Sequence, residues 1–385
     1  MAYAGQRRIL DADSHLMELP DFLDDYVSAA DREKLNRALF VAREQVINEA
    51  RANAESRQAD ATQLAAADER LMEDKGWAAM GGWDPTERSH VLDLLGFDAQ
   101  LVFGTFGTLL YKMSKEIDVY DGSSAYNRAI ADFCKSDPRL LAVANVPLTD
   151  PARATAAAQE AIDAGCAAIM VPSQPAGDLA PTHPDVDPFW DLLSEADVPF
   201  VLHVGGGGAM NTKAYHNNNM PVSDHLGGGE NIRSKDYLVI HHSPELFLGA
   251  LILDGLFDRF PKLRGGCIEQ GAAWVPSWLH HIDGALRSFA RTEEPLRRLT
   301  MKPSEYAAKH LKFTPFPGEP VGWLIEQAGA EMFMFSTDYP HPEGTKDPLG
   351  KFEAAMTDVD EEAKELFYSG NFTEMMGGAL VAAAG

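Results

Sequence analysis

The chain has 385 residues, 45% of them hydrophobic, which is enough for a large core and fits either one barrel or two ordinary domains. Its 33 basic against 58 acidic residues leave a net charge of −25, which argues against nucleic acid or an anionic membrane as a partner. Small-molecule chemistry is the class that remains.

The opening MAYAGQRRIL lacks the apolar stretch of a signal peptide, and no run approaches the roughly 20 apolar residues that span a bilayer. Cys134, Cys166 and Cys267 stand far apart with no CxxC, the pattern of reduced thiols. A soluble, cytoplasmic protein is expected. Arg8 to Leu16 reads as a first strand that gathers polar groups toward its end. Asp13 and His15 are two apart, so on a strand they point to one side and can share an ion. An Asx turn capping the next helix is the bland alternative.

Residues 31–75 are rich in Ala, Glu, Arg and Gln and nearly free of Gly and Pro, so one or two helices are expected as an insertion, with their charges facing solvent. The insertion also suits a lid or a dimer contact, and a homodimer is expected. Gly81-Gly82-Trp83-Asp84-Pro85 marks a turn before a helix from Glu87 to Leu95.

From there strands and helices alternate. Strands are expected at Asp98–Gly104, Leu140–Val146, Cys166–Val171 and Pro199–Val204, with helices at Gly122–Ser136, Pro151–Ala164 and Pro188–Ala196 between them. The Gly- and Asn-rich stretch from Gly205 to Asp236 is too long for a plain connection and is expected to cover a site. Ser243 and Pro244 open a helix running to about Phe260. Leu263–Ile268, Leu311–Thr314 and Met332–Thr337 complete the strands, with helices at Trp274–Phe289 and Val321–Ala328, and a helical Ala-rich tail follows Asp347. Eight strands alternating with helices favour a closed (β/α)8 TIM barrel over residues 1–385, with a doubly wound open sheet as the runner-up.

Active sites of such barrels lie at the C-terminal ends of the strands. Asp13, His15, His203, Glu269 and Asp338 would all fall there, each ending an apolar run. Alternation puts Val201 with His203, and Cys267 with Glu269, on common faces directed into the barrel. A buried carboxylate is costly unless paired or bound to a metal, so four strand ends carrying acids and histidines point to one metal site. His242 is a further candidate for ligand or proton shuttle, against exposed capping. His225, in the long loop, and His341, just past Asp338, are weaker candidates, and His280 and His281 are expected outside the site. Arg88 or Arg233 would suit a substrate carboxylate, though such arginines more often cap or pack.

These residues resemble the amidohydrolase superfamily, and within it the amidohydrolase-2 branch that includes aminocarboxymuconate-semialdehyde and resorcylate-type decarboxylases. The resemblance is carried by Asp13-Ser14-His15, Trp83-Asp84-Pro85 with Arg88, Phe189-Trp190 before Val201-Leu202-His203, and Phe257-Asp258-Arg259-Phe260-Pro261. Its most specific blocks are Glu269-Gln270-Gly271-Ala272-Ala273-Trp274-Val275-Pro276 and Ser336-Thr337-Asp338-Tyr339-Pro340-His341. It implies a divalent ion held by Asp13, His15, His203 and Asp338. Two departures stand out: Asp-x-His replaces the usual His-x-His or Glu-x-His, and Glu269 stands where many relatives carry a catalytic His. Both harden the donor set, which suits Mn or Fe as well as Zn, one ion or two. Hydrolysis and non-oxidative decarboxylation are the reactions implied, with Asp338, Glu269 and His242 as acid–base candidates. A non-haem iron or di-iron monooxygenase on the same barrel is the alternative.

Overall fold

The computed structural model describes residues 2–220 and 232–383. Seven strands pair in chain order as one curled parallel sheet: β1 (Leu10–Leu16), β2 (Ala99–Gly104), β3 (Leu140–Asn145), β4 (Ala168–Met170), β5 (Phe200–His203), β6 (Gly265–Ile268) and β7 (Leu311–Phe313). Helices follow the strands, and both faces of each strand are covered. This explains why segments such as LLAVA in β3 are continuously apolar and buried rather than alternating.

Two apolar clusters result. The outer one joins strand residues such as Val102, Phe200, Leu202 and Cys267 to the surrounding helices. The inner one gathers Leu10, Ala12, Leu101, Phe103, Val143, Val201 and Ile268 from successive strands. Phe372, Met375 and Met376, from a short helix at Asn371–Met376, belong to this inner cluster and pack into it. That helix lies against β1 and β7.

The stretch Met332–Thr337, expected as an eighth strand, is not a regular one. Its apolar residues are fully buried, and isolated parallel bridges tie Phe333 to Phe313 of β7 and Tyr339 to Ser14 of β1. The Asp338 amide donates to the Asp13 carbonyl at 2.9 Å and the His15 amide to the Tyr339 carbonyl at 2.7 Å. Phe335 still accepts from the Ala12 amide of β1 at 3.0 Å, but its own amide donates to the Phe367 carbonyl at 2.9 Å instead of to β7, which interrupts the ladder on that side.

Residues 29–68 form four helices rather than one or two, the longest Glu44–Ala59. Their charged face is not wholly solvated: Arg57 forks onto Glu87 at 2.7 and 2.9 Å, with side chains only 9% and 7% exposed. The helix expected from Ser243 to Phe260 begins one residue earlier and breaks at Gly255. There a φ of 72° ends His242–Leu253 before a single turn at Leu256–Arg259. Ser243 does not cap it, since its hydroxyl pairs with the hydroxyl and carbonyl of Ser173. Within the long loop, Lys213–His216 and Ser234–Tyr237 form short helical turns. Asp236 ties them by accepting from Asn211 at 2.5 Å and meeting His216 at 3.0 Å. His225 lies outside the described residues.

Candidate metal centre

Position in the sheet decides which side chains meet. In β1 the register against β2 runs Asp11 to Gln100 and then Ser14 to Val102, so β1 carries one extra residue at Ala12-Asp13. Without that bulge Asp13 and His15 would share the outward parity of Asp11, because Leu10 and Ala12 face inward. The bulge re-aims both into the centre of the sheet. A similar correction applies at β6. Cys267 belongs to the outer cluster and Ile268 to the inner one, so alternation directs Glu269 outward with Cys267, not inward as expected. Glu269 instead adopts φ 52°, a left-handed backbone that turns its carboxylate toward His203. In β5, Val201 is inward and His203 follows it without any irregularity.

The resulting cluster is tight. One ligand-type atom from each of Asp13, His15, His203 and Glu269 lies within 4.8 Å of the others, and so does a second set from His15, Asp338 and His341. His15 Nε2 stands 3.3 Å from Asp13 Oδ1 and 3.5 Å from Asp338 Oδ1. His203 Nε2 stands 3.4 Å from Asp13 Oδ1 and 3.3 Å from Glu269 Oε2. His203 Nδ1 meets the Val204 carbonyl at 3.1 Å, which fixes the ring with Nε2 toward the carboxylates. His341 stacks on His15 with ring centroids 3.7 Å apart, places Nδ1 3.0 Å from Asp338 Oδ1, and meets the Thr105 hydroxyl through Nε2 at 2.8 Å.

These groups fit a cation. His15 Nε2 and Asp338 Oδ1 are buried without a hydrogen bond, although both are strong polar groups that a folded interior normally satisfies. Burial above all, then the neighbouring His341, pulls the His15 pKa down to about 3, so the imidazole is neutral and its lone pair is available. Burial favours a neutral Asp13, but His203 and His15 outweigh it and hold its carboxyl well below the usual range. Asp338 goes the other way: burial, then the negative charges of Asp13 and Glu343, raise its pKa well above the ordinary value. Two imidazoles and two carboxylates converging in this way form a mixed nitrogen–oxygen donor set suited to a first-row divalent ion.

Beneath the cluster, Asp11 binds the strands together. It accepts from Gln100 of β2 at 2.8 Å and from the Thr337 amide and hydroxyl at 2.9 and 2.6 Å. Arg88 is fully buried, donating to the carbonyls of Gly81 and His15, and so supports β1 rather than facing a ligand. Arg233 lies beside Asp236 at 3.5 Å. His242 is exposed, in ring contact with His241, and belongs to neither set of converging atoms. His280 and His281 are exposed on the helix Val275–Phe289. Sequence reasoning missed Thr105 and Glu18, whose carboxylate accepts from the amides of Thr105 and Phe106 at 3.0 and 2.7 Å. A lone Thr after a strand and a Glu three residues past His15 carry no distinguishing signal.

Among proteins of known activity, the gamma-resorcylate decarboxylase of Rhizobium sp. (strain MTP-10005) is 26% identical over 226 residues, 56% of this chain and 64% of that protein. The match therefore spans a little under two thirds of the relative's length. Among solved structures, an amidohydrolase of Mycobacterium avium subsp. paratuberculosis K-10 superposes with a TM-score of 0.71 at 19% identity, over 97% of this chain and 100% of that one. A 5-carboxyvanillate decarboxylase of Novosphingobium aromaticivorans DSM 12444, complexed with manganese and 4-hydroxy-3-methoxy-5-nitrobenzoic acid, superposes with a TM-score of 0.64 at 16% identity, over 97% of each chain. At these identities the likeness shows a shared fold. Among the described residues no helix is long and apolar enough to cross a membrane. Residues 10–375 match the family model described as amidohydrolase, of the amidohydrolase-2 type, and the chain belongs to that family.

Proposed function

We propose that this chain is a metal-dependent enzyme that removes the carboxyl group of a small organic acid without oxidation. The observation that carries the reading is the convergence of Asp13, His15, His203 and Glu269 within 4.8 Å, with Asp338 beside His15, in a family whose relatives named above include decarboxylases. In this reading Met332–Tyr339 takes the eighth place and closes the sheet as a (β/α)8 barrel, supported by its bridges to β7 and β1.

Asp13, His15, His203 and Glu269 are the residues that would hold the ion, and the exposed His242 is left out. A divalent ion there supplies positive charge that relieves carboxylate repulsion and polarises a substrate oxygen. Manganese suits this donor set and is the ion bound in the Novosphingobium decarboxylase structure. Asp338, 3.5 Å from His15 and 3.0 Å from His341, is the group placed to carry the proton. The bond to the carboxyl carbon breaks, its electron pair stays on the substrate carbon, and the Asp338 proton forms the new C–H bond as CO2 leaves. His341, 3.0 Å from Asp338 and oriented by Thr105, is placed to return a proton to Asp338.

Hydrolysis is the second reading, favoured by the family's own description, with Asp338 then acting as base. The iron monooxygenase alternative has no support from the relatives. The test is to load the protein with manganese and supply 2,6-dihydroxybenzoate and 5-carboxyvanillate. Metal-dependent CO2 release is expected. Metal-dependent cleavage of an amide or lactone with no CO2 would move the assignment to hydrolysis.

A further inference from the structure

A cavity of about 160 Å³ opens on the His203 side of the cluster, walled by Phe103, Thr105, Lys112, Asn145 and Met170 together with His203 itself. That is below the roughly 300–1,000 Å³ of pockets for drug-sized ligands, so it suits a molecule of about one ring. The wall contains one cation, Lys112, and no aspartate or glutamate, in a chain of net charge −25. Among the described residues Lys112 makes no side-chain hydrogen bond or ion pair. Solvent reaches the side chain, yet the surrounding protein pulls its pKa down to about 8 by desolvation.

The helix that carries it is anchored. Lys112 ends the short helix Gly107–Lys112, and that helix starts where Glu18 clamps the amides of Thr105 and Phe106. In the same wall the Phe103 ring lies 4.4 Å from the His203 ring, centroid to centroid, giving an apolar surface beside that imidazole. A lysine, an aromatic ring and the His203 imidazole lining one cavity suit a planar carboxylic acid.

We propose that Lys112 is the residue that recognises the anionic group of the substrate. The inference rests on the reading that the ion sits at Asp13, His15, His203 and Glu269. An anionic ligand relieves the cost of an unpaired, partly desolvated ammonium, whereas a neutral ligand leaves that cost in place.

The experiment uses manganese-loaded full-length protein, wild type, Lys112→Met and Lys112→Arg, titrated calorimetrically with benzoate, 2,6-dihydroxybenzoate and the uncharged resorcinol. Lys112→Met should bind both carboxylates about tenfold to a hundredfold more weakly, as expected for losing a charge-assisted contact, and resorcinol within about twofold of wild type. Lys112→Arg should recover most of the carboxylate affinity. Manganese content and melting temperature should stay unchanged in both variants. Equal carboxylate affinity in Lys112→Met and wild type, a parallel loss for resorcinol, or a wild type that binds neither carboxylate while holding manganese would overturn the proposal. Failure of the wild type to bind manganese would instead overturn the reading of the metal centre.

Discussion

Glu269 and Asp338 share one rare backbone conformation, φ 52° and 54°, and each delivers a carboxylate to the same cluster. Side chains with a Cβ are strained in this region, at about 1–3 kcal/mol each, and such strain persists where surrounding contacts over-determine it. Here the contacts are the Glu269 amide donating to the Thr314 hydroxyl at 3.0 Å and the Asp338 amide donating to the Asp13 carbonyl at 2.9 Å. Replacing Glu269 by glycine relieves the strain and removes one of the converging negative charges. Metal-free Glu269→Gly should be at least as stable as metal-free wild type in urea denaturation, while its manganese affinity falls. A clear loss of metal-free stability would mean that the conformation is not strained.

The ligand and acid roles separate by substitution. His203→Ala should lose manganese and activity together, because the imidazole sits between Asp13 and Glu269 at 3.4 and 3.3 Å. Asp338→Asn should keep manganese and lose roughly 10²–10⁴-fold in turnover, the usual worth of a positioned general acid. Metal analysis beside CO2 release checks both. Loss of manganese in Asp338→Asn would make Asp338 a ligand first.

Thr105→Val removes the hydroxyl that meets His341 Nε2 at 2.8 Å and keeps nearly the same volume. With His341 less well oriented, turnover should fall by about fivefold, the value of one hydrogen bond of the order of 1 kcal/mol, with manganese unchanged. A turnover equal to wild type would remove Thr105 from the proton path.

Much of this site was legible because Asp13, His15, His203, Glu269 and Asp338 each end an apolar run, and an interior that admits a carboxylate must compensate it. What alternation could not supply was direction. The extra residue at Ala12-Asp13 and the left-handed Glu269 both reverse the parity that a regular strand would impose. The eighth strand was visible as an apolar run, but its irregular pairing depends on where Phe335 finds a hydrogen-bond partner. Thr105 stayed hidden because its partner lies across the sheet: Thr105 and His341 are 236 positions apart.

Arg57 and Glu87 offer a test of how the helices before Trp77 are held. Their bidentate pair is nearly buried, and Glu87 also accepts from the Gly81 amide at 3.1 Å. Arg57→Met leaves the Glu87 carboxylate buried with no cation, so stability should fall by about 3–5 kcal/mol. The double variant Arg57→Met/Glu87→Leu should recover part of that loss. Thermal and urea unfolding of the three proteins give the coupling, and a loss below about 1 kcal/mol in the single variant would mean that the pair is solvated.

Glu18 sets a pH dependence. It is fully buried, and burial lifts its pKa from 4.5 to about 7 even though the amides of Phe106 and Thr105 donate to it and oppose the rise. The unfolded chain ionises Glu18 near its ordinary value, so between about pH 4.5 and 7 the unfolded state holds fewer protons at this group than the folded one. The contribution of Glu18 to stability is thus full below pH 4.5 and is lost as pH rises through 7. The span corresponds to a change of the order of 3 kcal/mol. Glu18→Gln cannot ionise and keeps a carbonyl oxygen for the two amides. Relative to wild type it should gain stability as pH rises from 5 to 8, read as the difference in urea midpoint across that range. Parallel stability curves for the two proteins would show that Glu18 titrates alike folded and unfolded.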